Sequence, residues 1–430
     1  MDYLEALAYL DAHIALGVRP GLERIQGLLD DMGRPDDGYP IIHIAGTNGK
    51  TSTSRFATLL LIAHGLNTGT FTSPHLQKVE ERLSINGEFA SESEFALAVS
   101  DVAAFAELRE MAGDEANTYF ELTTAAAFAL FADKAVNAAV LEVGLGGRLD
   151  ATNVVDAEVC VLTSIGIEHT EYLGEDIATI AGEKVAIAGP NSILVTGPLP
   201  DAALEVAETR ARDLGIHHRH YGKDFSVLDA ERGVGGWLTT IAGAEETYED
   251  LFLPLHGRYQ LVNLANAVAA AEALIGRKLD EEAVRGAVGI ATAPGRMEVV
   301  GNKPLIMLDG AHNADGVAVL ADSLNEEYPT TRWRLVLGVM GDKNVEAMMT
   351  SLAPLVEGVV TTAPKSERSV PPVELADRIR DLVDNPILVA DDVELALDMA
   401  RAEAGPEGAV LVAGSLYLVG EARQLLCPPS

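Results

Sequence analysis

The stretch "AGTNGKTS", residues 45–52, holds the residue types that bind phosphate. Gly46 and Gly49 permit a tight turn whose backbone N–H groups approach a ligand closely, Lys50 supplies a cation, and Thr51 or Ser52 can offer a hydroxyl to Mg2+. The apolar strand pattern "PIIHIAG" leads into the turn and a helical pattern over 50–64 leaves it, so the helix's unpaired N–H groups and positive dipole end fall on the same spot. Gly46, Thr47, Asn48, Gly49, Lys50, Thr51 and Ser52 form this candidate cradle. Two residues separate its glycines where the common phosphate loop has four, and Ile44 stands where the first glycine would fall, so the motif is a shortened variant. An ordinary glycine turn before a surface helix is the competing reading.

Mg2+ prefers oxygen ligands and borrows some from phosphate. Glu142 follows the apolar run in "AAVLEVG", and the carboxyl ends of strands line the binding crevice of parallel sheets. It is the carboxylate placed to hold a metal; a salt bridge to Arg148 would explain it equally well. His312 follows "PLIMLDG" and Ser415 closes "AVLVAGS", again positions at strand ends where functional side chains are expected. No Cys or Ser triad is evident.

Positioning these groups requires a sheet whose strands all point one way. Apolar runs alternate with amphipathic helical patterns near 121–134, 175–188, 261–276 and 280–288, which implies a largely parallel sheet covered on both faces. Residues 216–256 read instead as short antiparallel strands, an appendage at a sheet edge. After Pro294 and Gly295 the alternation becomes regular through five strand patterns, each followed by a helix. The expectation is an α/β protein of two domains: a phosphate-loop ATPase-like parallel-sheet domain over residues 1–293, and a smaller doubly wound, Rossmann-like domain over 294–430.

The chain of 430 residues is 48% apolar, ample for two packed cores. With 65 acidic against 31 basic side chains, long-range attraction to nucleic acid or anionic lipid is not expected, and an anionic ligand must be held by local devices. Cys160 and Cys427 make neither a disulfide framework nor a zinc spacing. The N-terminus lacks a basic leader with a cleavable apolar core, and no run reaches membrane-spanning length, so the expected address is the cytoplasm.

"AGTNGKTST", "FTSPHL", "ERLSINGE", "VLEVGLGGRLDATNVV", "SIGIEHTEYLG", "IAGEKVAI", "APGRMEVV", "LDGAHN" and "VAGSLYLVGEAR" follow one another along nearly the whole chain. In this order they resemble the folylpolyglutamate synthase and dihydrofolate synthase family of the muramyl-ligase superfamily. "TSPHL", "GGRLDATN" and "GSLYLVGE" are characteristic of the folate branch.

The resemblance implies an ATP-dependent amide ligase that adds L-glutamate to dihydropteroate, to the γ-carboxylate of a reduced folate's glutamyl tail, or to both, through an acyl phosphate. It implies ATP and two Mg2+ ions, with Ser73 and His169 joining Thr51, Ser52 and Glu142 around the metals. Lys184 matches a lysine that resembles a carbamylated residue in several superfamily members; an unmodified lysine paired with Glu183 or another acid is the alternative. Asn263 would contact the adenine, and Arg296 and Asp309 the phosphates and ribose. Arg296, at the domain joint, could reach the γ-phosphate on closure; bracing of the linker is its alternative. His312, Lys343 and Ser415 would place the amino acid or the reacting phosphate. Arg82, in the loop "TSPHLQKVEERLSINGE", and Phe120 would face the pterin, although a lone Phe is more often a core residue. The chain departs from many relatives at Glu168, where they have Asp, and at Tyr259, where they have His. A muramyl-peptide-type ligase and a nucleotide-dependent switch without ligase activity are the rivals, the first disfavoured because the phosphate loop begins at residue 46. A monomer acting on small molecules is expected. The sequence leaves open a monovalent cation and the choice between the two acceptors.

Overall fold

The computed structural model describes residues 1–427. Eight strands form the first sheet: β1 (Ile41–Ala45), β2 (Thr68–Phe71), β3 (Leu83–Ile85), β4 (Glu88–Phe89), β5 (Ala138–Glu142), β6 (Val159–Leu162), β7 (Ile193–Thr196) and β8 (His218–His220). Their order is β4-β3-β2-β5-β1-β6-β7-β8, parallel from β2 to β8, with β3 and β4 antiparallel at one edge. The chain leaves β1 for one side of the sheet and returns on the other at β6, so β1 lies at a switch point, where ligands bind beyond the carboxyl ends.

Alternation along each strand builds two cores. Ile41 and Ala45 of β1 pack with Leu141 and Leu162 beneath the helices Tyr3–Ala12, Glu23–Asp31, Glu92–Ala112 and Tyr119–Asp133. Ile42 and Ile44 face the other way, with Val140 and Val161, against the helices Lys50–Ala63, Tyr259–Ile275 and Glu281–Gly289. Because both faces are covered, β1 and β5 are buried throughout.

The expectation for 216–256 needs correction. His218–His220 extends the main sheet in parallel, while β9 (Ser226–Gly233), β10 (Gly236–Ala242) and β11 (Thr247–Leu253) form a separate antiparallel sheet. Trp237, Ile241, Tyr248 and Leu251 bury its inner face in the same core as the helix Tyr259–Ile275, so it is a layer over the helices and not an edge appendage.

The second sheet contains β12 (Glu298–Asn302), β13 (Leu305–Asp309), β14 (Trp333–Leu337), β15 (Val356–Thr361), β16 (Ile387–Val389) and β17 (Ala409–Ala413), in the order β12-β13-β17-β14-β15-β16. The five expected strands are parallel; β12 runs antiparallel to β13 and makes the sheet mixed. Met307, Leu335 and Leu411 point into one core, Leu308, Val336 and Val412 into the other. Among the described residues no helix is long and apolar enough to cross a membrane.

Candidate active site

A cavity of about 880 Å3 lies between the carboxyl ends of the two sheets. The turn after β1 forms one wall. Gly46 and Gly49 take φ of 152° and 88°, and a Cβ on either would collide, with the Thr163 hydroxyl and the Asn263 amide respectively. The segment after β6 pins the turn: the Thr47 amide donates to the Ser164 carbonyl at 2.8 Å, and the Thr163 and Ser164 hydroxyls donate to the Asn48 carbonyl at 2.7 and 3.0 Å. Lys50 Nζ folds back onto the Gly46 and Thr47 carbonyls at 2.8 and 3.1 Å. Thr47 through Ser52 all line the cavity, and the Gly46 carbonyl lies beneath them as a shared acceptor for Lys50 and Lys184.

At the end of β5, Glu142 is buried and accepts the Thr51 hydroxyl on Oε1 at 2.9 Å. Its Oε2 and the nearby Ser73 Oγ are both buried without a hydrogen-bond partner. Burial pushes the carboxyl up to about 7 against the opposing pull of Lys50 and the Thr51 hydroxyl. Arg148 is not its partner, being bonded to Glu183 at 3.0 Å. Orphaned hard oxygens beside a phosphate-type turn fit Mg2+. No group of three or more His, Cys, Asp or Glu arranged to hold a metal ion occurs among the described residues, so such an ion would draw on hydroxyls and ligand phosphate to complete its shell.

Farther along the same wall, Lys184 is buried and bonds Glu168 Oε1 and the Gly46 carbonyl, each at 3.1 Å. Burial lowers its pKa to about 8, with Glu168 opposing. Glu168 is held below its usual range because Lys184, Lys50 and His169 together outweigh its burial. The acid beside Lys184 is thus Glu168 and not Glu183. His169 lines the cavity with φ of 49°, a left-handed conformation, and burial lowers its pKa.

The second domain closes the opposite side. Arg296 lines the cavity with one hydrogen bond, to the Gly295 carbonyl at 3.2 Å. Asp309, at the end of β13, accepts the Met297 and Ala311 amides at 2.9 and 2.8 Å. Met297 is held at φ of 44°, so Asp309 fixes the bend that presents Arg296. The His312 ring bonds the Gly310 carbonyl at 2.7 Å through Nδ1, and burial lowers its pKa to about 4. A carbonyl only accepts, so Nδ1 carries the proton and Nε2 keeps a lone pair near neutral pH. Lys343 pairs with Asp342 at 2.9 Å, and the buried Ser415 hydroxyl caps the helix Leu416–Leu426; both line the cavity. Asn263 lines it too, packed on Gly49 and donating to Gln260 at 2.9 Å, beside Tyr259. Lys50, Lys184, Arg296, Lys343 and Arg368 line the cavity with Glu142, Glu168, Asp309 and Asp315, so basic groups gather there to a degree unlike the rest of a chain of net charge −34.

Residues 44–271 match the Mur ligase middle domain and 295–416 the Mur ligase glutamate ligase domain. The chain is 37% identical to a dihydrofolate synthase/folylpolyglutamate synthase of Mycobacterium tuberculosis, covering 95% of this chain and 90% of that protein. The chain belongs to the Mur ligase family, in its folylpolyglutamate synthase/dihydrofolate synthase branch. Solved relatives share the whole architecture. M. tuberculosis folylpolyglutamate synthase complexed with ADP superposes with a TM-score of 0.94 at 36% identity, each chain covered completely. E. coli FolC in complex with DHPP and ADP gives 0.87 at 30%, covering 99% of this chain and 97% of that one.

Besides Gly46, beneath the turn, two expected site residues of this Mur ligase stand outside the cavity lining. Arg82 is buried, donating from Nε to His75 Nδ1 at 3.0 Å and lying over the Tyr119 ring. Phe120 packs on Phe71 and against Gly144, where a Cβ would strike its ring. Sequence reasoning missed Thr163 and Ser164, which fix the phosphate turn, and Asn313, whose side-chain amide donates to Asn48 Oδ1 at 3.3 Å and so ties the second sheet's side to the turn. The adjoining "TS" after β6 was the available signal for the first pair.

Proposed function

We propose that this chain is an ATP-dependent ligase that forms an amide between L-glutamate and a pterin-bearing carboxylate, dihydropteroate or the γ-carboxylate of a folate tail. The observation that carries this reading is the pair of orphaned oxygens, Glu142 Oε2 and Ser73 Oγ, buried beside Lys50 and Thr51 in a cavity whose other wall comes from the glutamate ligase domain.

A carboxylate resists nucleophiles because it is anionic. Transfer of the γ-phosphoryl from ATP to one carboxylate oxygen gives an acyl phosphate and ADP. The glutamate amine then attacks the acyl carbon, the C–O bond to phosphate breaks, and the amine loses a proton. The backbone N–H groups of the turn, with Lys50, bind and orient the triphosphate. Thr51, Ser52, Ser73 and Glu142 would hold Mg2+, with His169 close to a second ion; bound Mg2+ supplies charge neutralisation of the phosphates. Arg296, without an acidic partner within 4.0 Å among the described residues, stabilises charge on the transferring phosphoryl group. His312, Lys343 and Ser415 receive the amino acid, with the Nε2 lone pair of His312 available to the amine proton. Asn263 and Asp309 support the nucleotide side by packing on Gly49 and shaping the joint. The two domains, divided at 293/294, exclude water from the acyl phosphate when closed. Lys184, buried with a pKa lowered to about 8, offers a reactive amine to CO2; a carbamate there would replace the Glu168 ion pair with an anion near His169.

With acceptor carboxylate labelled with 18O, ligation through an acyl phosphate puts label into the released inorganic phosphate. Unlabelled phosphate accompanying amide product refutes the mechanism.

A further inference from the structure

In a chain with 65 acidic side chains, a sheltered arginine without an acid beside it is conspicuous. Among the described residues Arg55, Arg82 and Arg296 have no carboxylate within 4.0 Å, and they gather at one place, where the helix Lys50–Ala63 and the loop 72–82 meet the domain joint. Arg296 faces the main cavity and is accounted for by phosphate. Arg82 donates to His75 and lies on Tyr119. Arg55 lies over the Phe89 ring, its guanidinium carbon 5.8 Å from the ring centroid.

Between Arg55 and His75 lies a second compartment of about 40 Å3, which shares Thr51, Ser52, Pro74, Arg296 and Leu416 with the main cavity. It has room for a carboxylate and not for a pterin. Among the described residues the only acid lining it is Glu81, whose Oε2 accepts the Leu76 amide at 2.8 Å and whose Oε1 accepts the Gln77 and Lys78 amides, both at 3.0 Å. Glu81 therefore shapes the loop with both its oxygens and, although its charge acts on Arg55, makes no ion pair with it. His75 adds a donor. Arg82 Nε can only donate, so His75 Nδ1 accepts and the ring proton resides on Nε2. A guanidinium and an imidazole N–H beside the reaction cavity are a receptor for a small planar anion.

We propose that this compartment binds the α-carboxylate of the acceptor's terminal glutamyl unit, with Arg55 as its cation. The assignment rests on the ligase reading above and deepens it. Dihydropteroate has no such group. A folate tail carries an α-carboxylate close to its reacting γ-carboxylate, and the compartment adjoins Thr51 and Arg296, where the reacting group must lie. Arg55 would thus distinguish chain extension from the first glutamylation.

The test is calorimetric binding of tetrahydrofolate and tetrahydropteroate, which differ by the glutamyl unit, to the full chain and to Arg55→Met and Arg55→Lys. Met keeps an aliphatic stem for the Phe89 contact, and Lys keeps the charge. Tetrahydrofolate affinity should fall roughly 10- to 100-fold in Arg55→Met, the range for losing a charge-assisted hydrogen bond, and less in Arg55→Lys, with tetrahydropteroate affinity unchanged in both. Equal losses for the two ligands, or none, overturn the proposal. A weakened KM for L-glutamate with either acceptor, and no change in acceptor binding, would move the carboxylate to the incoming amino acid and overturn it as well. Glutamate ligation by the unsubstituted chain is scored separately, so failure of the ligase reading and failure of the subsite are distinguishable.

Discussion

Replacing Glu142 with Gln should separate stability from function. The buried carboxyl has its pKa pushed up to about 7 from an ordinary value of 4.5. Between those values the native state keeps a proton that the unfolded chain has lost, so the native state is progressively destabilised as pH rises through this window. A shift of that size corresponds to about 3 kcal/mol at pH 8, and to less than about 1 kcal/mol at pH 5. Gln retains an acceptor for the Thr51 hydroxyl and carries no charge. In urea titrations followed by circular dichroism with EDTA present, the stability of Glu142→Gln relative to the unsubstituted chain should therefore improve by about 2.5 kcal/mol between pH 5 and pH 8. Comparing the two pH values removes the constant contribution of the unpaired amide group. The same variant should lose the stabilisation that MgATP gives the parent, together with ligase turnover. Parallel pH profiles for the two proteins would refute the claim that Glu142 is a strained, unneutralised acid awaiting a cation.

Other consequences follow from single residues. His43 is buried, its Nε2 is 2.8 Å from the Thr152 hydroxyl, and burial lowers its pKa to about 3. The unfolded chain thus binds the extra proton first as pH falls, and His43→Gln should abolish about 2 kcal/mol of the stability lost between pH 7 and pH 5, read from urea midpoints. Gly49→Ala should raise KM for ATP at least tenfold, because of both its φ of 88° and the collision with Asn263. Adding Asn263→Ala should recover only part of that loss in steady-state assays, since the backbone strain remains; full recovery would contradict it. Arg296→Lys should lower kcat roughly 100- to 1000-fold with little change in ATP affinity, measured by ADP release and by equilibrium binding.

The elements around the site were legible because each has a strong local signal. β1, the phosphate turn and the following helix are specified by an apolar run, two glycines and a helix start within twenty residues or so of chain. Glu142, His312 and Ser415 could be chosen as strand-end residues before any contact was known. The long helix Glu92–Ala112 is not among the helical patterns read from the sequence, although Ser91 and Glu94 form a capping box at its start. Its apolar residues are spread around most of its circumference, so periodicity gave no warning. β12 was missed because the Pro294–Gly295 punctuation suggested a linker, and antiparallel pairing with β13 depends on contacts that the local pattern does not encode. The fate of Arg55 was beyond sequence reading for a different reason: that its guanidinium makes no ion pair among the described residues is a three-dimensional fact, as is the use of both Glu81 oxygens by three loop amides.

The central claim is carboxylate–amine ligation, and mass spectrometry tests it most directly. The purified chain should be incubated with MgATP, L-glutamate and either dihydropteroate or tetrahydrofolate. An acceptor heavier by one glutamate residue, formed together with one ADP per amide bond, is the predicted result. ATP turnover that ignores both acceptors, with no change in their masses, would contradict it and favour a nucleotide switch.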